Sequence, residues 1–414
     1  MSTRVSPLRP AERIVLIDAL RGLAIFGIFM VNMQYMYEPM TKMLISSSQD
    51  APIHQLISES FIKFFFEGKF YVIFSMLFGF GFWIFLNKST SDGSSVVPVF
   101  RRRLFFLMLF GIAHIVLLWV GDILLYYTLL GFILILFKKA SEKKIKKWII
   151  SLVLVPPVVI TLLVSMIWAL SQIPEAKEAM DSAFQESIHE ITQFVEHTAA
   201  IYAKGSFSEI ITVRIDEYLT LLPGTLTFFP IILGMFLLGV LFARKKLLTE
   251  YVNNLSFFKK VFWWGVGVGV PTNTLYTIAS HYSILCIPDG WMLLTSIMHT
   301  FGGIAFGLSI ISAMAILFAK GKSGWLSFLL APVGRMALTN YLLQSIISAF
   351  LFYSHGLRLI GKVEAWQGIV LVIIIFSAQI VFSKWWLKRF RFGPFEWLWR
   401  SLTYGKIQPM KNNG

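Results

Sequence analysis

The feature that most constrains this chain is a series of apolar runs, each about 20 residues long. The sequence is 56% hydrophobic and only 14% charged over 414 residues. Such a run matches the thickness of a bilayer's hydrocarbon core, and soluble domains are rarely this apolar. We therefore predict an all-α polytopic membrane protein, since helices satisfy their own backbone hydrogen bonds in lipid. About ten transmembrane spans are expected, at residues 14–37, 61–86, 103–119, 122–137, 147–171, 219–243, 257–280, 291–319, 325–353 and 366–387.

The loops between these runs differ in their basic content. With the N-terminus inside, the inner segments hold 27 of the 37 Lys and Arg residues, and the outer loops hold six. Cytoplasmic loops carry this excess in membrane proteins, so both termini are predicted to be cytoplasmic. The net charge of +15 is then a topology signal that favours contact with membrane lipids. Contact with anionic lipid head groups explains this positive charge, so no nucleic acid is predicted as a partner.

The order of the spans predicts one integral membrane domain with two five-helix halves. Residues 1–171 form the first half, residues 219–387 the second, and residues 388–414 a basic cytoplasmic tail. Between the halves, residues 172–218 carry nine acidic and three basic residues, with apolar residues at helical spacing. We interpret this extracytoplasmic insert as one or two amphipathic helices. They form either a structural cap or a lid over an outward-opening site.

The first span carries polar residues near both of its ends. Asp18 and Arg21 are three residues apart and share a helix face. Asn32 follows Arg21 by eleven residues, roughly 16 Å along the same side of the helix. Charges inside a span are costly and often functional, so this polar stripe is predicted to bind a ligand.

The second span begins with Lys63, Glu67 and Lys69. Lys63 and Glu67 are four residues apart, which predicts a local ion pair at the outer interface. In the alternative, Glu67 and Lys69 face a cavity and contact a substrate.

The third and fourth spans form a tight hairpin around Asp122. This aspartate is predicted to cap the fourth helix. His114 lies about two turns below the hairpin turn, which would bring it near Tyr126 and Tyr127. We interpret His114 either as a hydrogen-bonded core histidine or as a general base near the outer face.

The ninth span contains a second set of polar residues. Arg335 and Thr339 share one face, and Asn340 and Gln344 share another. The structural interpretation is hydrogen bonding between helices. In the functional one, these residues bind a ligand, and Arg335 neutralises Asp18 or holds an anionic group.

The seven histidines all lie in the outer half of the predicted topology. His54 belongs to an outer loop, and His299 lies in the outer part of a span. We therefore keep His54 as a second candidate base and His299 as a candidate ligand-binding residue. The single cysteine, Cys286, permits no internal disulfide. The sequence shows no P-loop, no Gly-x-Ser-x-Gly and no His-Glu-x-x-His, so no metal site and no resident cofactor are predicted.

Several stretches together resemble a known family. They are Ile17–Ala24 with Asn32, Phe66–Phe70 with Phe74–Gly79, His114 with Gly121–Leu124, Gly334–Ser345, and Phe392–Arg400. The chain resembles the YeiB-like family of bacterial inner-membrane proteins, whose function is largely undefined. The resemblance spans nearly the whole chain and implies a location in the bacterial plasma membrane.

The YeiB-like family is similar, more distantly, to transmembrane acyltransferases. These include enzymes that decorate surface glycans and the lysosomal heparan glucosaminide acetyltransferase. The glycan-modifying branch has an arginine, ten residues and then a histidine on its first span. In this chain Arg21 matches the arginine, but Asn32 stands where the histidine would be. Since asparagine cannot act as a general base, His114 or His54 would have to serve, or the reaction is absent.

Our leading hypothesis is an acyltransferase that uses a cytoplasmic acyl-CoA as co-substrate. The resemblance implies transfer of the acyl group to an envelope glycan or lipid on the outer side. Arg21, Arg335 or the inner basic loops would hold the donor's phosphates, and His114, oriented by Asp122 or a tyrosine, would take the acceptor's proton. The alternatives are a transporter or lipid-handling protein, and a structural or signalling protein without a small-molecule site. The sequence leaves the oligomeric state open, with a homodimer among the options.

Overall fold

The computed structural model describes residues 14–46, 51–87 and 96–412. Within these ranges the chain is helical, and the only strand-like contact is an isolated bridge between Phe390 and Lys411. The prediction of an all-α fold is therefore confirmed. The helices are α1 Val15–Gln34, α2 Ile53–Phe65, α3 Phe70–Leu86, α4 Val97–Leu117, α5 Leu124–Leu134, α6 Glu142–Leu170, α7 Pro174–Lys204, α8 Phe207–Leu226, α9 Phe229–Arg244, α10 Leu255–Tyr282, α11 Gly290–Ala319, α12 Gly324–Arg335, α13 Ala337–Phe352, α14 Ala365–Arg389 and α15 Pro394–Tyr404.

Several of these helices are long and apolar enough to cross a membrane. Among the described residues, α1, the α2–α3 segment, α6, α11 and α14 qualify, which makes five spans. The bent pairs α8–α9 and α12–α13 raise the number to seven if each pair is one span. The chain is a helical membrane protein. The predicted ten spans and the cytoplasmic position of both termini stay predictions.

Three spans that the sequence suggested as single helices are interrupted. The run at 61–86 breaks between α2 and α3, where Gly68 has a φ of +83° that side chains rarely adopt. The run at 219–243 bends by 61° between α8 and α9, in the stretch that contains Pro223 and Pro230. The run at 325–353 bends by 79° at Met336. Arg335 and Thr339 therefore lie on different helices and not on one continuous face.

The acidic insert is mostly one long helix. α7 is 31 residues long and largely exposed, and α8 begins at a capping box formed by Ser206 and Glu209. Near the C-terminal end of α7, the Tyr202 hydroxyl donates to Glu217 of α8 at 2.6 Å. Glu217 also accepts the backbone N–H of Thr41 at 3.1 Å. This buried carboxylate thus joins the insert to the segment that follows α1.

α1 packs closely against α12 through two glycines. A Cβ atom on Gly334 would lie 1.8 Å from the backbone oxygen of Asp18, and one on Gly22 would lie 2.1 Å from the backbone oxygen of Leu330. Both neighbours are backbone atoms, which cannot rotate away. The sequence Gly334-Arg335 is therefore held against the Asp18–Arg21 turn of α1.

Replacing Gly334 with alanine is expected to destabilise the protein by about 1–3 kcal/mol, because the added methyl group overlaps the α1 backbone. Thermal unfolding of the detergent-solubilised chain measures the change. Gly324→Ala is the matched control on the same helix, since its Cβ would meet open space, and we expect it to be neutral or slightly stabilising. Equal melting temperatures for the two variants would contradict the close helix crossing.

Candidate functional site

A cavity of about 500 Å³ lies between α1, α3, α4, α13 and α15. This volume is within the range of small-molecule pockets, roughly 300–1,000 Å³. Most of its lining is aliphatic or aromatic. On α1 and the residue just before it, the lining residues recur at helical spacing, and they are Ile14, Ile17, Asp18, Arg21, Ile25 and Ile28.

One end of the cavity is strongly basic. Four arginines line it, and they are Arg21, Arg103, Arg335 and Arg400, against the acidic residues Asp18 and Glu396. Arg21 Nη1 lies 3.1 Å from Asp18 Oδ1, and the Arg21 side chain is still 33% exposed. The predicted Asp18–Arg21 pair therefore forms, with the guanidinium at the wall of a cavity. Arg335 lines the same cavity.

The other end of the cavity is apolar and reaches Tyr341 on α13 and Ile123 beside α5. The face of α1 that carries Arg21 continues with Ile25 and Ile28. Asn32 lies beyond them, half-buried near the end of α1, and is not part of the lining. The polar stripe predicted from Arg21 to Asn32 is therefore interrupted by an aliphatic surface.

α15 closes the basic end of the cavity. Thr339, in the first turn of α13, donates its backbone N–H to Glu396 Oε1 at 3.0 Å and its hydroxyl to Oε2 at 2.5 Å. Burial raises the pKa of the Glu396 carboxyl, and the hydrogen bonds from Thr339 oppose that shift. Trp399 donates its indole N–H to the Arg103 carbonyl, and the Arg103 guanidinium lies 4.0 Å from the Trp399 ring centre. The segment predicted as a basic tail thus includes a docked helix that supplies part of the cavity wall.

His114 is buried beside the hairpin turn and contacts two polar side chains. Its Nε2 lies 2.7 Å from Ser345 Oγ on α13, and its Nδ1 lies 3.1 Å from Asp122 Oδ2. The His114 and Asp122 side chains are fully buried. The other Asp122 oxygen accepts the backbone N–H of Leu125 at 2.7 Å. Asp122 therefore caps α5, as predicted, and also places a carboxylate against the imidazole.

Tyr341 separates the cavity from His114. Its ring stacks on the imidazole with 5.0 Å between ring centres and 27° between the ring planes, and Tyr341 also lines the cavity. The tyrosines expected near His114 make other contacts. Tyr126 stacks on Tyr218, and the Tyr127 hydroxyl lies 2.6 Å from Ser75. The aromatic partner of His114 thus comes from α13 and not from α5.

The turn between α2 and α3 holds a second polar cluster. The predicted Lys63–Glu67 ion pair is wrong. Because α2 ends at Phe65, Glu67 lies beyond the helix and is not one helical turn from Lys63. The Lys63 ammonium lies 4.0 Å from Glu59, and Glu67 accepts from the Tyr35 hydroxyl at 3.4 Å. The buried Lys69 ammonium donates to the Lys63 carbonyl at 2.8 Å.

His299 of α11 belongs to the same cluster. Its ring lies between Tyr276, at 5.1 Å, and Tyr71, at 6.4 Å. The Lys69 ammonium lies 5.9 Å from the centre of the same Tyr276 ring, and His299 Nε2 would lie 3.1 Å from a Cβ on Gly68. The structure therefore brings Glu67, Lys69 and His299 into one region, apart from the residues that line the cavity.

The remaining candidate residues have partners elsewhere. His54 is half-exposed and lies 2.9 Å from Glu364 at the surface, so the structure does not bring it to His114. Asn340 donates to the carbonyls of Val333 and Met336 and supports the bend between α12 and α13. Gln344 donates to Gln379 on α14 at 3.0 Å. Asn340 and Gln344 thus have the hydrogen bonds that the structural interpretation of the ninth span predicted.

The described part of the chain contains no group of three or more His, Cys, Asp or Glu side chains arranged to hold a metal ion. Sequence reasoning did not single out Ser345, Tyr341, Arg103 or Arg400. Ser345 follows Tyr341 by four residues in the motif that carries the family resemblance. That spacing was the one available signal that the two residues share a helix face.

Comparison with known proteins gives matches along the whole chain. The family described as "Protein of unknown function (DUF418)" matches residues 242–406. The uncharacterized protein YxaH of Bacillus subtilis is 33% identical over 98% of both chains. The uncharacterized protein YeiB of Escherichia coli is 28% identical over 96% of this chain and 98% of its own length. No solved structure matches this chain.

Proposed function

This chain belongs to the YeiB-like DUF418 family, and we propose that it is a membrane acyltransferase that takes its acyl group from an acyl-CoA. One observation carries the proposal. The cavity has an arginine-rich end and an apolar part, and the apolar part includes Tyr341, whose ring stacks on the buried His114. This is the shape and polarity of an anionic amphiphile with a reactive group at its apolar end.

The arginines would bind the donor's phosphate groups. Guanidinium groups pair with phosphates through charge-assisted and often bidentate hydrogen bonds. Arg21, Arg103 and Arg400 surround the same end of the cavity, so one phosphorylated group can contact more than one of them. The lining between the arginines and Tyr341 would hold the donor's pantetheine arm, which brings the thioester to Tyr341.

His114 would act as the general base for the acceptor. A hydroxyl proton passes to Nε2, the acceptor oxygen bonds to the acyl carbon, and the carbon–sulfur bond breaks. The thiolate that leaves takes the proton from the imidazolium. Asp122 stabilises that imidazolium from the Nδ1 side, as the carboxylate of a catalytic triad does.

The position of His114 suits an acceptor that arrives from the side opposite the donor. The indole N–H of Trp119, in the hairpin turn, donates to the Tyr35 carbonyl just after α1, and Arg214 of α8 donates to the Val116 carbonyl. Asp18 and the arginines lie at the other end of α1. His114 thus lies toward the far side of the protein from the cavity's basic end. We infer that the donor enters from the cytoplasm and that the acceptor is an envelope glycan or lipid.

Binding and turnover of acyl-CoA test the proposal. Purified protein is titrated with acyl-CoAs of increasing chain length by calorimetry, and release of free CoA is followed. We expect binding, and slow hydrolysis when no acceptor is present. Protein that neither binds nor hydrolyses any acyl-CoA would rule the proposal out.

Tyr341 variants test the wall between the cavity and His114. Tyr341→Ala is expected to raise the ratio of donor hydrolysis to transfer by about tenfold, because water then reaches the site from the cavity. Tyr341→Phe keeps the ring and should stay close to the wild-type ratio. Free CoA and acylated product are measured in the same reaction. An unchanged ratio in Tyr341→Ala would show that the ring is not a barrier.

Transport or lipid handling is the second candidate function. The cluster of Glu67, Lys69 and His299 at the α2–α3 break favours it, because interrupted helices with buried ionisable groups are common at transporter substrate sites. Transport predicts uptake or efflux that follows an ion gradient, without a modified product. Acyl transfer predicts a modified envelope molecule without dependence on the gradient.

A further inference from the structure

Ser345, His114 and Asp122 stand in the order of a serine nucleophile, its base and the base's carboxylate. The distances are 2.7 Å from Ser345 Oγ to His114 Nε2 and 3.1 Å from His114 Nδ1 to Asp122 Oδ2. Resting on the acyl transfer argued above, we propose that Ser345 is the nucleophile and that the acyl group passes through an ester on its Oγ. The transfer then has two half-reactions in place of one direct step.

The hydroxyl of Ser345 is directed away from the backbone of its own helix, as are those of Ser60 and Ser75. Serine and threonine inside helices commonly bond back to a carbonyl of the preceding turn. Thr128, Ser309 and Ser327 do so in this chain. The Ser345 hydroxyl lies instead within hydrogen-bond distance of an imidazole on another helix, 231 residues away in sequence. That direction leaves the hydroxyl proton available to Nε2.

The first half-reaction would acylate the serine. The Oγ proton passes to His114 Nε2 as Oγ attacks the thioester carbon, and the carbon–sulfur bond breaks. The imidazolium gives its proton to the thiolate of the CoA that leaves. Atoms and charges balance without any further reactant, and the product is an ester on Ser345.

The second half-reaction would release the acyl group to the acceptor. The acceptor hydroxyl gives its proton to Nε2, and its oxygen attacks the ester carbon. The bond to Ser345 Oγ breaks, and Oγ takes the proton back. Because CoA can leave before the acceptor arrives, the protein never needs to be open to both substrates at once. A covalent intermediate therefore suits a donor and an acceptor on opposite sides of a membrane.

The route from the cavity to Ser345 is short. Tyr341 lines the cavity and precedes Ser345 by four residues on α13, about 6 Å along the helix axis. Ser345 itself is fully buried. A change in the Tyr341 side-chain rotamer would bring the cavity's apolar end to the serine.

A fluorophosphonate probe tests the serine without reliance on acyl-CoA. The full-length purified protein is incubated with an alkyl fluorophosphonate, and the modified residue is mapped by mass spectrometry. We expect one adduct, on Ser345, and labelling that is slower by a factor on the order of 100 or more in His114→Gln. Ser348→Ala is the matched control, since Ser348 is also buried on α13, and it should label normally. Labelling that persists in Ser345→Ala would overturn the proposal.

An acyl-trapping experiment separates this inference from the proposed function. Incubation with acyl-CoA should leave one acyl group on Ser345 as an ester, and on Ser345→Cys as a thioester that hydroxylamine cleaves. Turnover of acyl-CoA at the wild-type rate by Ser345→Ala would overturn the nucleophile and leave acyl transfer intact. If the fluorophosphonate labels Ser345 but the protein never turns over acyl-CoA, the result would support Ser345 as the nucleophile and contradict acyl-CoA as the donor. Size-exclusion profiles identify any variant that fails to fold.

Discussion

Replacing His114 with glutamine is expected to slow acyl transfer by about 10²- to 10⁴-fold at saturating acyl-CoA, the range typical of a lost general base. Glutamine fills a similar space and can still hydrogen-bond to Ser345. It cannot accept a proton and return it. Donor binding should change little, because His114 is not part of the cavity lining. The measurement is the turnover number, together with the dissociation constant for acyl-CoA.

His189→Gln is the matched control for the His114 variant. His189 lies on the exposed surface of α7, where it contacts Gln193 of the same helix. The same chemical change there should leave the rate within experimental error. A His114→Gln protein that folds, binds the donor and still turns over within about threefold of wild type would exclude His114 as the base.

Replacing Arg21 with glutamine is expected to weaken acyl-CoA binding by roughly 10- to 100-fold, the usual loss for one hydrogen bond to a charged group. The change also leaves Asp18 without its partner, and its negative charge then repels the donor's phosphates. Turnover of bound donor should stay near wild type, because the acyl group reacts at the other end of the cavity. The effect should shrink at high salt, since Arg21 is partly exposed.

Arg101→Gln is the matched control for Arg21. Arg101 lies on the exposed surface of α4, two residues before Arg103, and does not line the cavity. If the basic end of the cavity binds the donor as a site, the Arg101 variant should bind normally. Equal losses in the two variants would mean that only the general positive charge of this region matters.

The parts of the structure that follow from local sequence could be predicted. Apolar run lengths gave the helical membrane class, and the three-residue spacing of Asp18 and Arg21 gave their contact. The tight turn around Asp122 placed His114 beside it. Each of these depends on residues that are close in sequence or joined by a short hairpin.

The breaks in the helices could not be predicted from apolarity. Hydropathy measures whether a residue tolerates lipid and is insensitive to a bend. The bend at Met336 is supported by the Asn340 side chain, which donates to the carbonyls of Val333 and Met336. The break before α3 depends on the left-handed backbone of Gly68.

The site itself depends on contacts between distant parts of the chain. Ser345 and Tyr341 reach His114 only because α13 packs beside the hairpin, and no spacing rule expresses that contact. By sequence, Arg103 contributes only to the basic excess of the inner segments. The structure places it at the cavity wall because Trp399 of α15 packs against it.

The most direct test of the account is a cryo-electron microscopy structure of the protein with a non-hydrolysable acyl-CoA analogue. We expect density for the nucleotide phosphates beside Arg21 and Arg400, and density for the pantetheine arm that brings the thioester position to Tyr341, next to His114 and Ser345. An analogue bound at another face, or a cavity occupied only by ordinary membrane lipid at saturating analogue, would contradict the account.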